Sequence, residues 1–220
     1  MNSNQNISAR TYEVLHAAFD HFNEELFDGR LPPAILVLHR KRGAHGYFHA
    51  NQWLLRGEEE GTEEGLHEIA LNPQTMGRDA REVLSTLAHE MAHLWDQLYG
   101  KVPASGHGPT WANKMDEIGL TPTSTGLPGG KRTGRKMMHM IVAGGPFDIA
   151  CDTFLGWNPD AVGIFAKTAA PVAKKKDLSK VKHQCPDCNA NVWGKLGIKV
   201  ICGECDQFMA PVGVDSEEDE

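Results

Sequence analysis

The run LSTLAHEMAHLWDQLYG, residues 84–100, carries His89, Glu90 and His93 in a His-Glu-x-x-His pattern. On a helix the two histidines lie one turn apart on the same face, so both imidazoles reach one tetrahedral ion. At 3.6 residues per turn, Glu90 is turned about 100° from His89 and about 60° from His93. It leans over the ion's open position without occupying it. Zinc held by three protein ligands brings the pKa of a bound water toward about 7 and polarises a carbonyl. The carboxylate then takes the water's proton and hands it to a leaving amine, which is peptide-bond hydrolysis in outline. A chance match is weighed against context: this motif lies within a capped, amphipathic helical pattern. Burying two histidines and a glutamate without a cation is costly.

Two residues compete for the third ligand position. His107, in SGHGPTW, comes 14 residues after His93 and is flanked by glycines that permit close approach. Glu117, 24 residues after His93, falls on the next predicted helix and offers a two-histidine, one-glutamate set. The spacing to His107 is longer than the pattern that places a third histidine six residues after the second. His107 is favoured on the residues alone, with Glu117 open as the rival.

A second metal-ligand pattern lies downstream. Cys185 and Cys188 form one Cys-x-x-Cys pair and Cys202 and Cys205 another, 13 residues apart. Two such knuckles turn four thiolates toward one ion and leave no place for water, so a zinc held there is structural. The segment is too short to fold on apolar burial alone, and metal supplies the missing stability. VWGKLGIKVI between the pairs is expected to form a hairpin. His183 is a spare candidate ligand, although four cysteines suffice. A redox dithiol is the alternative, disfavoured by two symmetrical knuckles.

The run TLAHEMAHLW…GHGPTWANKM resembles the SprT-like family of zinc metallopeptidases, which includes the bacterial SprT proteins and the eukaryotic Spartan proteases. FNEELFDGRLPPAILVL is similar to that family's opening helix and first strand, and HGYFHANQW and IALNP to the strands that follow. The likeness covers roughly residues 10–120, and the cysteine segment matches a common appendage. It implies a compact, minigelatinase-like α+β fold with an exposed cleft. Zinc would be bound by His89, His93 and His107, with Glu90 as the catalytic base, and this favours His107 over Glu117. It also implies substrates among proteins associated with DNA.

Several elements must position these residues. TYEVLHAAFDHFNEELFDGR predicts an amphipathic helix with Val14, Leu15, Ala18, Phe19, Phe22, Leu26 and Phe27 on one face. AILVLH, GYFHANQW and LHEIALNP predict three short strands, with an exposed acidic loop over 56–65. A helix is expected over 80–99, capped by Asp79 and ended by Gly100. Leu84, Leu87, Met91, Leu94 and Leu98 form its core stripe. A further helix starts at Pro109, residues 121–135 read as an open loop, and MMHMIVAGGPF supplies one more strand. His139 in that strand is read as an ordinary strand histidine rather than a cleft residue. His45 and His49 are read as cleft-side or surface groups, and Tyr47, Trp53 and Tyr99 as packing aromatics.

The expected architecture is α+β: a compact zincin-like metallopeptidase domain over 8–165 with a small mixed sheet and the His-Glu-x-x-His helix. A Lys/Ala/Pro-rich linker over 166–182, a four-cysteine zinc ribbon over 183–212 and an acidic tail over 213–220 complete it. The chain has 220 residues, 40% hydrophobic and 23% charged, as soluble globular proteins do. No signal-like N-terminus or membrane-spanning run is visible, so an intracellular, cytoplasmic location is expected. The clustered cysteines fit a reducing compartment. Cys151, among apolar residues, is read as a buried small hydrophobe. The net charge of −7 argues against a surface dominated by nucleic acid, but residues 167–182 hold six lysines and one aspartate. Those lysines can engage phosphates without reading sequence. The competing function class is a zinc-containing nucleic-acid adaptor without protease activity, and an intact Glu90 speaks against it. A secreted or toxin-like peptidase is disfavoured by the missing signal.

Overall fold

The computed structural model describes residues 6–56, 65–100, 106–164, 166, 180–195 and 197–212. The central part of the acidic loop, the lysines at 174–176 and the acidic tail lie outside the described residues. The chain divides into two compact units, residues 1–168 and 169–220. The first unit mixes α and β structure, with four helices and two small sheets among the described residues, and the second holds one three-stranded sheet. No helix there is long and apolar enough to cross a membrane.

In the first unit, helix α1 spans Ile7–Phe27 and buries Leu15, Ala18, Phe19, Phe22, Leu26 and Phe27, the face its periodicity predicts. It ends where Asp28 turns left-handed. Buried Asn23 then grips the returning chain: its Nδ2 donates to the Leu31 carbonyl at 2.9 Å, and the Leu31 amide donates to its Oδ1 at 3.0 Å. Those bonds set the entry angle of strand β1, Ala34–Leu38. Strands β2, Gly46–Trp53, and β3, Leu66–Leu71, complete a mixed sheet in the order β1-β3-β2. β3 pairs parallel with β1 and antiparallel with β2, and as the central strand it is buried on both faces.

Helix α2, Ala80–Tyr99, packs against β2 and β3. Asp79 caps it by accepting from the Arg81 amide at 2.9 Å. Gly100 ends it in an extended rather than left-handed conformation. A Cβ at Gly100 would lie 2.3 Å from the Asp96 carbonyl oxygen, so space, not φ, selects glycine there. Leu84, Leu87, Met91 and Leu94 are fully buried; Leu98, expected on the same stripe, is exposed because the last turn runs past the core.

Two stretches differ from expectation. Helix α3, Pro109–Glu117, leads into strand β4, Leu120–Thr123, inside the segment read as an open loop. β4 pairs antiparallel with β5, Met138–Ile141, in register Pro122↔His139. A two-stranded sheet has only edges, so it tolerates Pro122 and its missing amide. Helix α4, Pro146–Trp157, went unpredicted, although Phe147, Ala150, Cys151 and Phe154 bury at helical spacing. Arg81 ties α2 to α4 through Asp148 and Asp152. Cys151 is wholly buried and that burial pushes its thiol up to about 11, the chemistry of a packing residue.

In the second unit, β6, Val181–Gln184, lies between β7, Asn191–Gly194, and β8, Ala210–Val212. Among the described residues the expected hairpin over 192–201 is not seen. Its first arm pairs upstream with β6, and its second keeps one bridge, Ile201↔Phe208.

Candidate metal centres and cleft

The two knuckles of the second unit repeat the same backbone turn. The Asn189 amide donates to the Cys185 carbonyl at 3.1 Å and the Asp206 amide to the Cys202 carbonyl at 2.9 Å. Asn189 and Asp206 both take left-handed φ, near 59° and 53°. The sulfur atoms of Cys185, Cys188, Cys202 and Cys205 converge within 4.8 Å of one another. Backbone amides, that of Cys188 foremost, bring the Cys185 thiol down to about 7. Hydrogen bonding among the crowded sulfurs pushes Cys205 up to about 12. Four thiols this close do not all ionise without a cation between them, and the set fits a closed zinc site. His183 stands apart from it: buried on β6, its Nδ1 has no hydrogen-bond partner among the described residues.

In the first unit, α2 presents His89 and His93 on one face. The loop before α3 adds His107, and ligand atoms of all three lie within 4.8 Å of one another. Their ring centroids are 4.7–5.3 Å apart. His107 is reached through Gly106 at φ 87° and is anchored on its far side, where its Nδ1–H donates to the Gly134 carbonyl at 3.1 Å. That bond fixes the tautomer with a free lone pair on Nε2. Trp111, on the first turn of α3, floors the group, stacking on His93 at 5.2 Å and meeting His89 and His107 edge-on.

Electrostatics keep these imidazoles neutral. Burial first, then the neighbouring histidines, holds His89 far below the usual range, and burial with His107 takes His93 to about 3. Burial lowers His107 as well. Neutral imidazole is the form that ligates a metal. Three convergent neutral imidazoles therefore fit a zinc ion.

Glu117, the rival ligand, is not part of the group. It sits exposed at the end of α3 and accepts from Lys114 Nζ at 2.8 Å. Lys114 is itself buried, against the Phe27 and Trp95 rings, and needs that carboxylate.

Glu90 is buried beside the histidines, and burial raises its carboxyl to about 8 against a lowering by Lys41. Gly46 on β2 makes room for it: a Cβ there would stand 2.9 Å from Glu90 Oε1 and 2.8 Å from the Ala70 carbonyl oxygen. Asn72 holds the loop leading into β2, donating from Nδ2 to the Lys41 and Ala44 carbonyls at 2.8 Å each. His89, Glu90, His93 and His107 line a cleft of about 940 Å³, with His45 and Tyr47 also on its wall. Trp53 instead donates to Glu68, Tyr99 donates to the Arg30 carbonyl, and His49 stays exposed beside Tyr47.

His139 departs from its reading as an ordinary strand histidine. β5 delivers it into the cleft, where its Nδ1 lies 3.1 Å from Nδ1 of His89 and its Nε2 2.8 Å from Ser85 Oγ. Nothing in the local sequence marks this, because the pairing of β5 with β4 creates it. Ser85 and Trp111 were also missed: Ser85 enters through its bond to His139, and Trp111 through the packing of α3 on α2.

A model of the SprT-like family matches residues 15–130. An uncharacterized protein from the mucB 3′ region of Salmonella typhimurium is 46% identical over 37 residues. That match takes in 17% of this chain and 50% of the other protein, so the chain spans about half the length of the curated relative. No solved structure matches.

Proposed function

Because the chain belongs to the SprT-like family, we propose that it is a zinc-dependent metallopeptidase built on a zincin-like domain. The observation that carries this reading is the convergence of His89, His93 and His107 beside buried Glu90 in an open cleft. A zinc ion there would activate water and polarise the scissile carbonyl. His89, His93 and His107 would hold it through neutral imidazoles. With a cation held there, Glu90 would stay ionised, accept a water's proton and deliver it to the leaving nitrogen. Trp111 and the Gly134 carbonyl fix ring orientations from behind. The four cysteines would hold a second, structural zinc, since their sulfur atoms converge. Substrates are proteins, including proteins bound to DNA, with the lysine-rich segment and ribbon as the contact to nucleic acid.

Elemental analysis of the purified chain should give two zinc ions. An unfolded protein incubated with it, with and without DNA, should be cleaved in a chelator-sensitive way. One zinc and no cleavage under either condition would put the adaptor reading ahead. Gly46→Ala supplies a finer check. Its Cβ meets a backbone oxygen that cannot yield, so β2 or Glu90 must shift. Hydrolysis is expected to fall on the order of 10²-fold, the cost of about 1 Å of misplacement, with zinc content unchanged.

A further inference from the structure

We infer that His139 is a positioning residue for the zinc site, locking His89 in the tautomer that ligates through Nε2. The inference rests on the zinc reading of the three-histidine group and adds a residue to it.

The argument follows the protons. With His89 Nδ1 engaged by His139 at 3.1 Å, Nε2 is the nitrogen left for an ion. A neutral imidazole ligating through Nε2 carries its proton on Nδ1, so His89 is the donor and His139 Nδ1 the acceptor. Neutral His139 then carries its own proton on Nε2, which donates to Ser85 Oγ at 2.8 Å. Ser85 in turn donates to the Glu82 carbonyl at 2.9 Å, an acceptor that cannot reverse the chain. Every link has one donor and one acceptor. The series ends on the backbone of the helix that bears His89, about two turns before it.

His139 is not a fourth ligand, since the convergent group comprises only His89, His93 and His107 among the described residues. His107 shows the same device in simpler form, its Nδ1–H held by the Gly134 carbonyl. Two of the three ligands thus have a built acceptor behind them, one a main-chain oxygen and one a side chain. Outer partners of this kind orient the ring and raise its basicity. The pairing of β5 with β4, in register Pro122↔His139, sets where the acceptor stands.

The test measures zinc affinity of the full chain by competition with a chromophoric chelator, alongside total zinc and the visible spectrum of the cobalt-substituted protein. His139→Ala should weaken the histidine site about 10–100-fold, leave the cysteine site filled and alter the cobalt spectrum. His139→Asn places Oδ1 where Nδ1 stood and should restore most of the affinity and the wild-type spectrum. Thermal melting of the metal-free variants separates loss of fold from loss of the ligand's partner. Wild-type affinity in His139→Ala, or equal loss in Ala and Asn variants, overturns the inference while leaving the zinc reading intact. If the wild type fills only its cysteine site, the zinc reading and this inference fall together.

Discussion

Glu90→Gln should keep zinc at His89, His93 and His107 and lower peptide hydrolysis by about 10²–10⁴-fold, the usual worth of a general base. Glutamine preserves the shape that Gly46 accommodates but cannot take a proton. The measurement pairs zinc content with turnover of an unstructured peptide; loss of metal in the variant would assign Glu90 a structural role instead. Stability supplies a second readout with a definite sign. Burial raises the Glu90 carboxyl from 4.5 to about 8 in the metal-free chain. The folded state therefore holds this proton more tightly than the unfolded state, and its contribution is fully present below about pH 4.5. It is lost as pH rises through 8. The neutral amide escapes that loss. Metal-free Glu90→Gln should gain stability over the wild type as pH rises from about 5 to 8, and level off above.

His107→Ala should empty the histidine site and spare the cysteine site, so zinc falls from two ions per chain to one. The loss in affinity should exceed the ~10–100-fold typical of an outer partner, because a direct ligand is removed. Hydrolysis should disappear with the metal. Glu117→Ala makes the contrast. Its carboxylate serves buried Lys114, so its removal should cost stability, seen in a lower melting temperature, and leave both zinc ions in place. Loss of zinc in Glu117→Ala with retention in His107→Ala would reverse the ligand assignment.

Much of the site was legible because its chemistry is local. His89, Glu90 and His93 depend only on helical period and on caps that Asp79 and Gly100 announce. The cysteine knuckles likewise need no more than a five-residue turn, and Asn189 and Asp206 close both in the same way. The face of α1 follows from its three- and four-residue spacing, and the three strands of the mixed sheet from short apolar or aromatic runs bounded by turn residues. Where two local signals competed, the reading failed. Pro122 and the surrounding Thr and Gly residues read as loop, yet strand pairing absorbed them. In PFDIACDTFLGW the first two residues were given to the preceding strand and only Cys151 was read as buried, so the helical period went unread.

What the sequence by itself determined is the inventory: a His-Glu-x-x-His helix, a histidine between glycines, two cysteine knuckles, and thus two sets of candidate metal ligands. Tertiary structure alone decided which other groups serve them. Glu117 turns to Lys114 because a lysine buried against Phe27 and Trp95 needs a counter-charge. His139 reaches His89 across 50 residues because β5 pairs with β4. Gly46 faces Glu90 because β2 lies against α2. A short motif records one helix's own geometry, whereas such partners depend on the packing of elements far apart in the chain, which no single segment encodes.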